Sequence, residues 1–492
     1  LEMATELEKE GTVHPLVQNL VSYGSRKTGE MKKAEKACNR ALEIDPLSFT
    51  SFAEKWFIHP DEESKQLIND LFDRKDSTFL GTQLYIETAI KYLDLQDYES
   101  AGAILEIARE HFTGSPYNYP VLDYYLGYCT SMAGDEVMAR NYFRRASESD
   151  ITYVFPYRKT TEMILHKALD INPVDANAWY LSGNLYFQLR RPEEAVAAWE
   201  KSTDISEDNP YAYRNLANAI FFLESDTLQA INLLEKAVAI AGDDLRIIQE
   251  LDYTYEAAGK SDDRIDLLEN RMQTVQKSPD LALRLADLYL RRENFEKAVS
   301  LMEKTYFPAS EESAGRNIRH IRYAESHLGL GEKLAEKGKY MEALKHFQMS
   351  MEYPDNLNEK EPLEPVYART YYLIAHTSEM AGNNRQAREY YKKAASEEIK
   401  EISEAAYYKA LALLETGDKK RADQLIEKLL NFNEEEMGKR NRGTESAGRL
   451  YVQAMAYKYK GEEKKSNKLL KEALKMNSDV VIQARMEAST LR

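Results

Sequence analysis

The chain has 492 residues, with 66 Lys and Arg against 82 Asp and Glu, and carries a formal charge of −16 at neutral pH. A surface of that sign repels phosphate backbones and anionic lipid, which counts against nucleic-acid or membrane binding as the main role. No run reaches the roughly 18 apolar residues that a spanning helix needs, and the opening LEMATELEKEG lacks the apolar centre of a signal peptide.

The chain as given therefore reads as soluble and cytoplasmic. The periplasm stays open, because the Leu-Glu pair ahead of Met3 reads as a cloning scar and the natural chain is expected to extend upstream. Cys38 and Cys129 are the only cysteines, lie far apart and fit no zinc spacing, so both are expected to be small packing residues. Tyrosine is abundant, at 33 residues, and recurs at helical spacing.

In chain order, small and aromatic residues return at spacings of three and four, the helical period. A first copy of the pattern surrounds Gly29, Ala34, Ala41 and Pro46, and a degenerate pair is predicted at 47–75. Further copies are marked by Ala89, Tyr92, Tyr98 and Ala101, then by Gly127, Gly134, Ala139 and Phe143. ITYVFPYRK, Ile151 to Lys159, then interrupts the rhythm. The following MILHKALDI sits where a second helix is due, with Ala168 at its small position, and its partner would overlap NYFRRASES. One helix is missing. Ile151 to Phe155 are predicted to bridge the gap, with Pro156 opening the next helix.

The clearest copy is DANAWYLSGNLYFQLRRPEEAVAAWEKSTDISEDNP, Asp175 to Pro210. Trp179, Gly183 and Tyr186 share one helix face, Ala195 and Trp199 the inner face of a second, and Pro192 suits the second helix's first turn. Later copies are marked by Ala217 and Ala230, Tyr255 and Gly259, Ala286 and Phe295, Gly331 and Phe347, Gly382 and Ala394, Gly417 and Ala422, and Gly461 and Ala473. Loop insertions are predicted at 305–320, 353–365 and 431–448, where Pro, Gly, Asn and charge concentrate.

These features resemble the tetratricopeptide repeat, a helix pair recurring about every 34 residues. The resemblance implies an all-α, right-handed α-solenoid of about ten to eleven helix pairs with a break near residues 150–159. It divides into blocks at 1–150, 151–305 and 306–492. YVFPYR, DINPVDANAWYLSGNLYF and MEYPDNLNEKEP together also resemble the repeat region of large bacterial proteins that carry an upstream β-sandwich domain.

No catalytic motif stands out. His320 and His327 lie near Glu325 and are read as a partly exposed helix flank rather than a metal site; His166 is read as a satisfied residue on the apolar face of its helix. The basic KRNRG, Lys439 to Gly443, is read as a solvated loop. No metal or other cofactor is expected, and the chain is not expected to be an enzyme.

The repeat resemblance implies a concave groove lined by Asn177, Tyr180, Asn184 and Phe187, then by Tyr211, Arg214, Asn215 and Asn218 with Phe222, then by Arg246 and Glu250. Asparagine suits the backbone of an extended peptide, since its amide donates and accepts at once. Asn184, Asn215 and Arg246 match part of the carboxylate clamp of chaperone-binding repeats. Tyr180 and Glu250 replace its cations, which would repel a C-terminal carboxylate and counts against a chaperone-tail receptor. Tyr124, Tyr125 and Tyr128 form a candidate aromatic interface or a packing layer, as do Tyr372, Tyr407, Tyr408 and Tyr451 further on.

The function expected is a non-catalytic protein-protein interaction scaffold that binds a peptide segment or partner domain. The alternative is the docking arm of a larger carbohydrate-processing protein whose own upstream domain is the partner.

Overall fold

A computed structural model describes residues 6–7, 13–70, 78–112, 119–152, 154–309, 317–399, 403–431 and 445–476. By backbone contacts the chain divides into two units, Leu1–Gly242 and Asp243–Arg492, a partition different from the three blocks marked by breaks in the repeat rhythm.

The first unit runs α1 (Pro15–Lys27), α2 (Met31–Ile44), α3 (Phe49–Ile58), α4 (Glu62–Asp70), α5 (Thr78–Asp94), α6 (Tyr98–Phe112), α7 (Val121–Met132), α8 (Glu136–Ser147), α9 (Thr160–Ile171), α10 (Ala176–Gln188), α11 (Pro192–Ile205), α12 (Pro210–Ala219) and α13 (Thr227–Ala241). The second runs α14 (Leu245–Ala257), α15 (Ser261–Glu269), α16 (Met272–Lys277), α17 (Pro279–Arg291), α18 (Phe295–Lys304), α19 (Ile318–Glu336), α20 (Tyr340–Met349), α21 (Ala368–Met380), α22 (Asn384–Ser396), α23 (Glu404–Glu415), α24 (Lys419–Asn431), α25 (Glu445–Tyr459) and α26 (Glu463–Met476).

These elements form all-α stacks of antiparallel pairs, including the short pair α3/α4 in the region read as degenerate. First helices of neighbouring pairs touch one another, as α1, α3, α5 and α7 do in one unit and α21, α23 and α25 in the other. Second helices pack against first helices. No described helix is long and apolar enough to cross a membrane.

Close approach within a pair explains the small residues. A Cβ on Gly183 would lie 2.5 Å from the Trp199 ring, and one on Gly331 would lie 2.5 Å from Phe347, so neither position admits a side chain without displacing an aromatic ring. The turn between the two helices needs one residue in the left-handed region. Gly338 supplies it in α19/α20 with φ 75°, but Arg190 does so in α10/α11 with φ 61°.

The rhythm breaks where the sequence predicts, but Pro156 does not open a helix: α9 starts at Thr160, after Lys159. The steric preference of a proline for a first turn was satisfied instead by irregular chain. α9 is unpaired, packing on α7 and α10 rather than on a partner of its own.

Insertions 305–320 and 353–365 dock on each other. Phe307 donates its amide to the Asn356 carbonyl at 2.8 Å, the Asn358 side chain returns to the Phe307 carbonyl at 2.7 Å, and Phe307 and Leu357 are both fully buried. The first insertion ends earlier than expected, because Ile318 already opens α19, whose N-terminal amides at Arg319 and His320 are capped by Glu359. Most of the third insertion, including KRNRG, lies outside the described residues; Glu445 onward is helical.

Candidate functional site

The best-formed part of the expected groove is built on α10 and α12. Asp175 caps α10, accepting from the Ala178 amide at 2.9 Å, and is held by the Tyr124 hydroxyl at 3.0 Å. Burial pushes its carboxyl up to about 6 despite those bonds, because desolvation penalises the charged form more than the donors favour it.

Two turns further along α10, Asn184 accepts from the Trp199 indole at 3.0 Å and from the Asn215 amide at 2.9 Å. Arg214 in turn donates to the Asn215 oxygen at 3.1 Å. Asn184 and Asn215 are thus brought together, and much of their hydrogen-bonding capacity is used in holding α10, α11 and α12.

The Asn184 amide nitrogen points at the Val154 carbonyl, 3.5 Å away, in ITYVFPYRK. That segment has no helix among its described residues, and Val154 and Pro156 are buried while Phe155 and Tyr157 are exposed. Alternation with period two is how an extended chain lies on a surface. Its far end is held by Arg158, which reaches Gln83 at 2.5 Å and Glu87 at 2.7 Å on α5. After a turn in which the Val154 amide donates to the Ile151 carbonyl at 3.1 Å, the chain therefore runs from Val154 to Arg158 over the first helices without forming a helix, with Asn184 facing its backbone.

The other predicted residues differ in their surroundings. Asn177 donates to the carbonyls of Ala146, Ser147 and Ser149, so its amide secures the end of α8 instead of facing a ligand. Tyr180 is buried, at 2% exposure. Phe187, at 56%, and Phe222, at 76%, are open, while Tyr211, Arg214 and Asn218 are half-buried and have partners within the fold. Phe222 lies in a π-helical turn, Ile220–Glu224, that extends α12 and that the sequence reading did not anticipate. Arg246 and Glu250 belong to the second unit, where Arg246 is exposed and Glu250 half-buried.

The upstream tyrosines are packing residues in this structure. Tyr124 and Tyr125 are wholly buried and Tyr128 is 6% exposed, with their hydroxyls directed at Asp175, Thr161 and the Met163 sulfur. Burial raises all three phenols. Tyr407, Tyr408 and Tyr451 are likewise buried in the core of the last repeats, and Tyr372 packs at its edge.

Two features of the second unit were missed. Arg369 on α21 lies among Glu325 at 3.1 Å, Glu332 at 3.5 Å and Glu404 at 3.5 Å, from α19 and α23. Burial lifts the Glu332 carboxyl to about 7 and raises Glu404 as well, since one guanidinium cannot offset three desolvated carboxylates. No local motif signals this cluster, because its members come from three helices over 80 residues.

The second concerns the histidines. His320 and His327 are not a helix flank but buried: His320 stacks on Tyr353 with ring centres 3.6 Å apart, and His327 Nδ1 faces His346 Nδ1 at 2.9 Å. Burial lowers His320 to about 4 and His327 to about 3. Glu325 turns to Arg369, so the three do not converge, and no metal-holding group of three or more His, Cys, Asp or Glu occurs among the described residues. His166 is exposed rather than on the apolar face, and its Nε2 meets the Tyr186 hydroxyl at 2.7 Å. Both cysteines are buried and free.

A family described as TPR repeat matches residues 183–223, and one described as Tetratricopeptide repeat matches residues 374–433. These two segments are similar to the repeat. Among solved structures it is similar to yeast Tom70, at 14% identity over 93% of this chain and 91% of that one, with a TM-score of 0.26. It is also similar to the P58(IPK) TPR domain, at 15% identity over 80% and 98% with a TM-score of 0.22. A third is MamA, at 14% identity over 54% and 93% with a TM-score of 0.19. Superpositions this loose bear on neither partner nor function.

Proposed function

We propose that the chain is a non-catalytic protein-interaction scaffold that takes an extended protein segment along the first helices α10 and α12. The reading is supported chiefly by Val154 to Arg158: this non-helical stretch of the protein lies on the same row of helices with its Val154 carbonyl toward the Asn184 amide. A partner segment would continue beside it, over the exposed Phe187 and Phe222 rings and the half-buried Arg214 and Asn218. Aromatic faces supply contact area with little rotamer entropy to lose, and amide and guanidinium groups supply donors to a peptide backbone.

Peptides selected from a random display library on the full chain provide the test. Their affinity is expected to fall about tenfold or more in Phe187→Ser and Asn218→Asp, because interface aromatics and buried polar contacts dominate binding of this kind. Unchanged affinity in both variants would remove the groove assignment. Asn184→Ala is a poor probe, since it also releases Trp199 and Asn215.

A further inference from the structure

The second unit carries a surface unrelated to the groove. The second helices α22, α24 and α26 hold 13 Lys and Arg against five Asp and Glu, in a chain whose acidic residues outnumber its basic ones by 82 to 66. Second helices differ in charge: α2, with four basic against two acidic residues, and α8, with three against one, are basic as well, whereas α11 and α15 are acidic, with Glu193, Glu194, Glu200 and Asp204 against Lys201 in α11.

On α22, Arg385, Arg388 and Lys392 recur at spacings of three and four, which puts them on one exposed face. None of the three forms an ion pair with a described residue, and with Asn384 and Glu389 they line an open depression of about 490 Å³. Lys420 and Lys428 on α24 and Lys471 on α26 are exposed and unpaired in the same way. Among the described residues second helices pack chiefly onto first helices, so this row of cations is on the outer layer of the stack.

We infer that the outer layer formed by α22, α24 and α26 is a docking surface for an acidic, Asp/Glu-rich protein segment. Charge complementarity selects the partner: unpaired cations on successive helices can each meet a carboxylate of an extended chain, and Arg385 and Arg388 can hold one between them. The second unit as a whole has 42 basic against 44 acidic residues, so the repulsion implied by the net charge resides in the first unit, with 24 against 38.

Other polyanions fit less well. Carboxylates interspersed on the same helices, Glu389, Asp423 and Glu427 among them, oppose the dense charge of a nucleic-acid backbone. An anionic membrane would engage exposed apolar side chains beside the cations, and none of the large exposed hydrophobic residues falls on α22, α24 or α26.

A fluorescein-labelled peptide of alternating Glu and Ser, titrated into the full chain at low salt, tests this directly. Binding is expected, weakening by about tenfold between 50 and 200 mM salt as exposed charges are screened. Arg385→Glu, Arg388→Glu and Lys392→Glu combined should abolish it, while Lys201→Glu with Lys236→Glu should leave it unchanged. Circular dichroism checks that the triple variant folds, as exposed positions should allow. No binding at 50 mM salt, equal loss in the two variants, or tighter ridge-dependent binding of a single-stranded oligonucleotide or a phosphatidylserine vesicle would overturn the proposal. Because the groove variants Phe187→Ser and Asn218→Asp lie elsewhere, their failure leaves this test intact.

Discussion

Two polar interiors serve the same purpose in this protein with opposite chemistry. In the first unit, α10, α11 and α12 are joined through neutral groups: Trp199 and Asn215 donate to Asn184. In the second, α19, α21 and α23 are joined through one guanidinium and three carboxylates around Arg369. The amide junction is satisfied at any pH. The charged junction is satisfied only while its protons are correctly distributed, so it ties the packing of three helices to pH.

Removing the centre of each junction should separate them most. Arg369→Met leaves buried carboxylates without a counter-charge and is expected to cost about 3–5 kcal/mol at pH 8. The cost should shrink at pH 5, where Glu332 and Glu404 are protonated. Asn184→Ala is expected to cost about 1–3 kcal/mol for the orphaned indole and amide, equally at both pH values. Hydrogen exchange in α21 and α10 reads each locally, which suits a repeat array better than a global midpoint. A pH-independent loss in Arg369→Met would break the contrast.

The repeat grammar made one of these regions legible and hid the other. Gly183 opposite Trp199, Ala195 on the inner face and Pro192 at the first turn of α11 are local signals, and the structure places all three as read. Gly183→Ala tests the reading: with a Cβ 2.5 Å from the indole it should destabilise α10/α11 by about 1–3 kcal/mol, seen as faster exchange in those helices. The Arg369 cluster and the docking of Phe307 on Asn356 depend on contacts 35 to 51 residues apart, with no repeat to predict them. Among the residues expected to line a groove, the repeat resemblance named Asn184 and Asn215, which the structure brings into contact. The resemblance could not show that Asn177 is used by the end of α8, nor that Tyr180 is buried.

The charged region should also show a stability profile with a sign. Glu332 titrates near 7 in the fold, above its unfolded value of about 4.3, so the fold favours its protonated form. Its contribution is complete below about pH 4.3 and is lost as pH rises through about 7. Glu332→Gln should therefore raise the melting temperature at pH 8 by about 2 °C and leave it unchanged near pH 4. His327 runs the other way: held to about 3 in the fold, it contributes fully above its unfolded value of about 6.5 and loses that contribution as pH falls. The two contributions oppose each other in the wild type, so the variant separates them: a Glu332→Gln profile that parallels the wild type from pH 4 to pH 8 in α19 would contradict the Glu332 assignment.

The smallest effect concerns the turns. Gly338 and Arg190 occupy the same left-handed place in their helix pairs, at φ 75° and 61°. A Cβ costs about 1–2 kcal/mol in that region, so Arg190 carries a strain that Gly338 does not. Part of it is offset in the unfolded chain, where glycine has more freedom to lose. The balance predicts that Arg190→Gly stabilises α10/α11 by about 0.5 kcal/mol, whereas Gly338→Arg destabilises α19/α20 by about 1 kcal/mol. Reciprocal shifts in denaturant midpoint would establish that the turn, not the side chain's surroundings, sets the preference; equal shifts of one sign would show that the two pairs close their turns by different means.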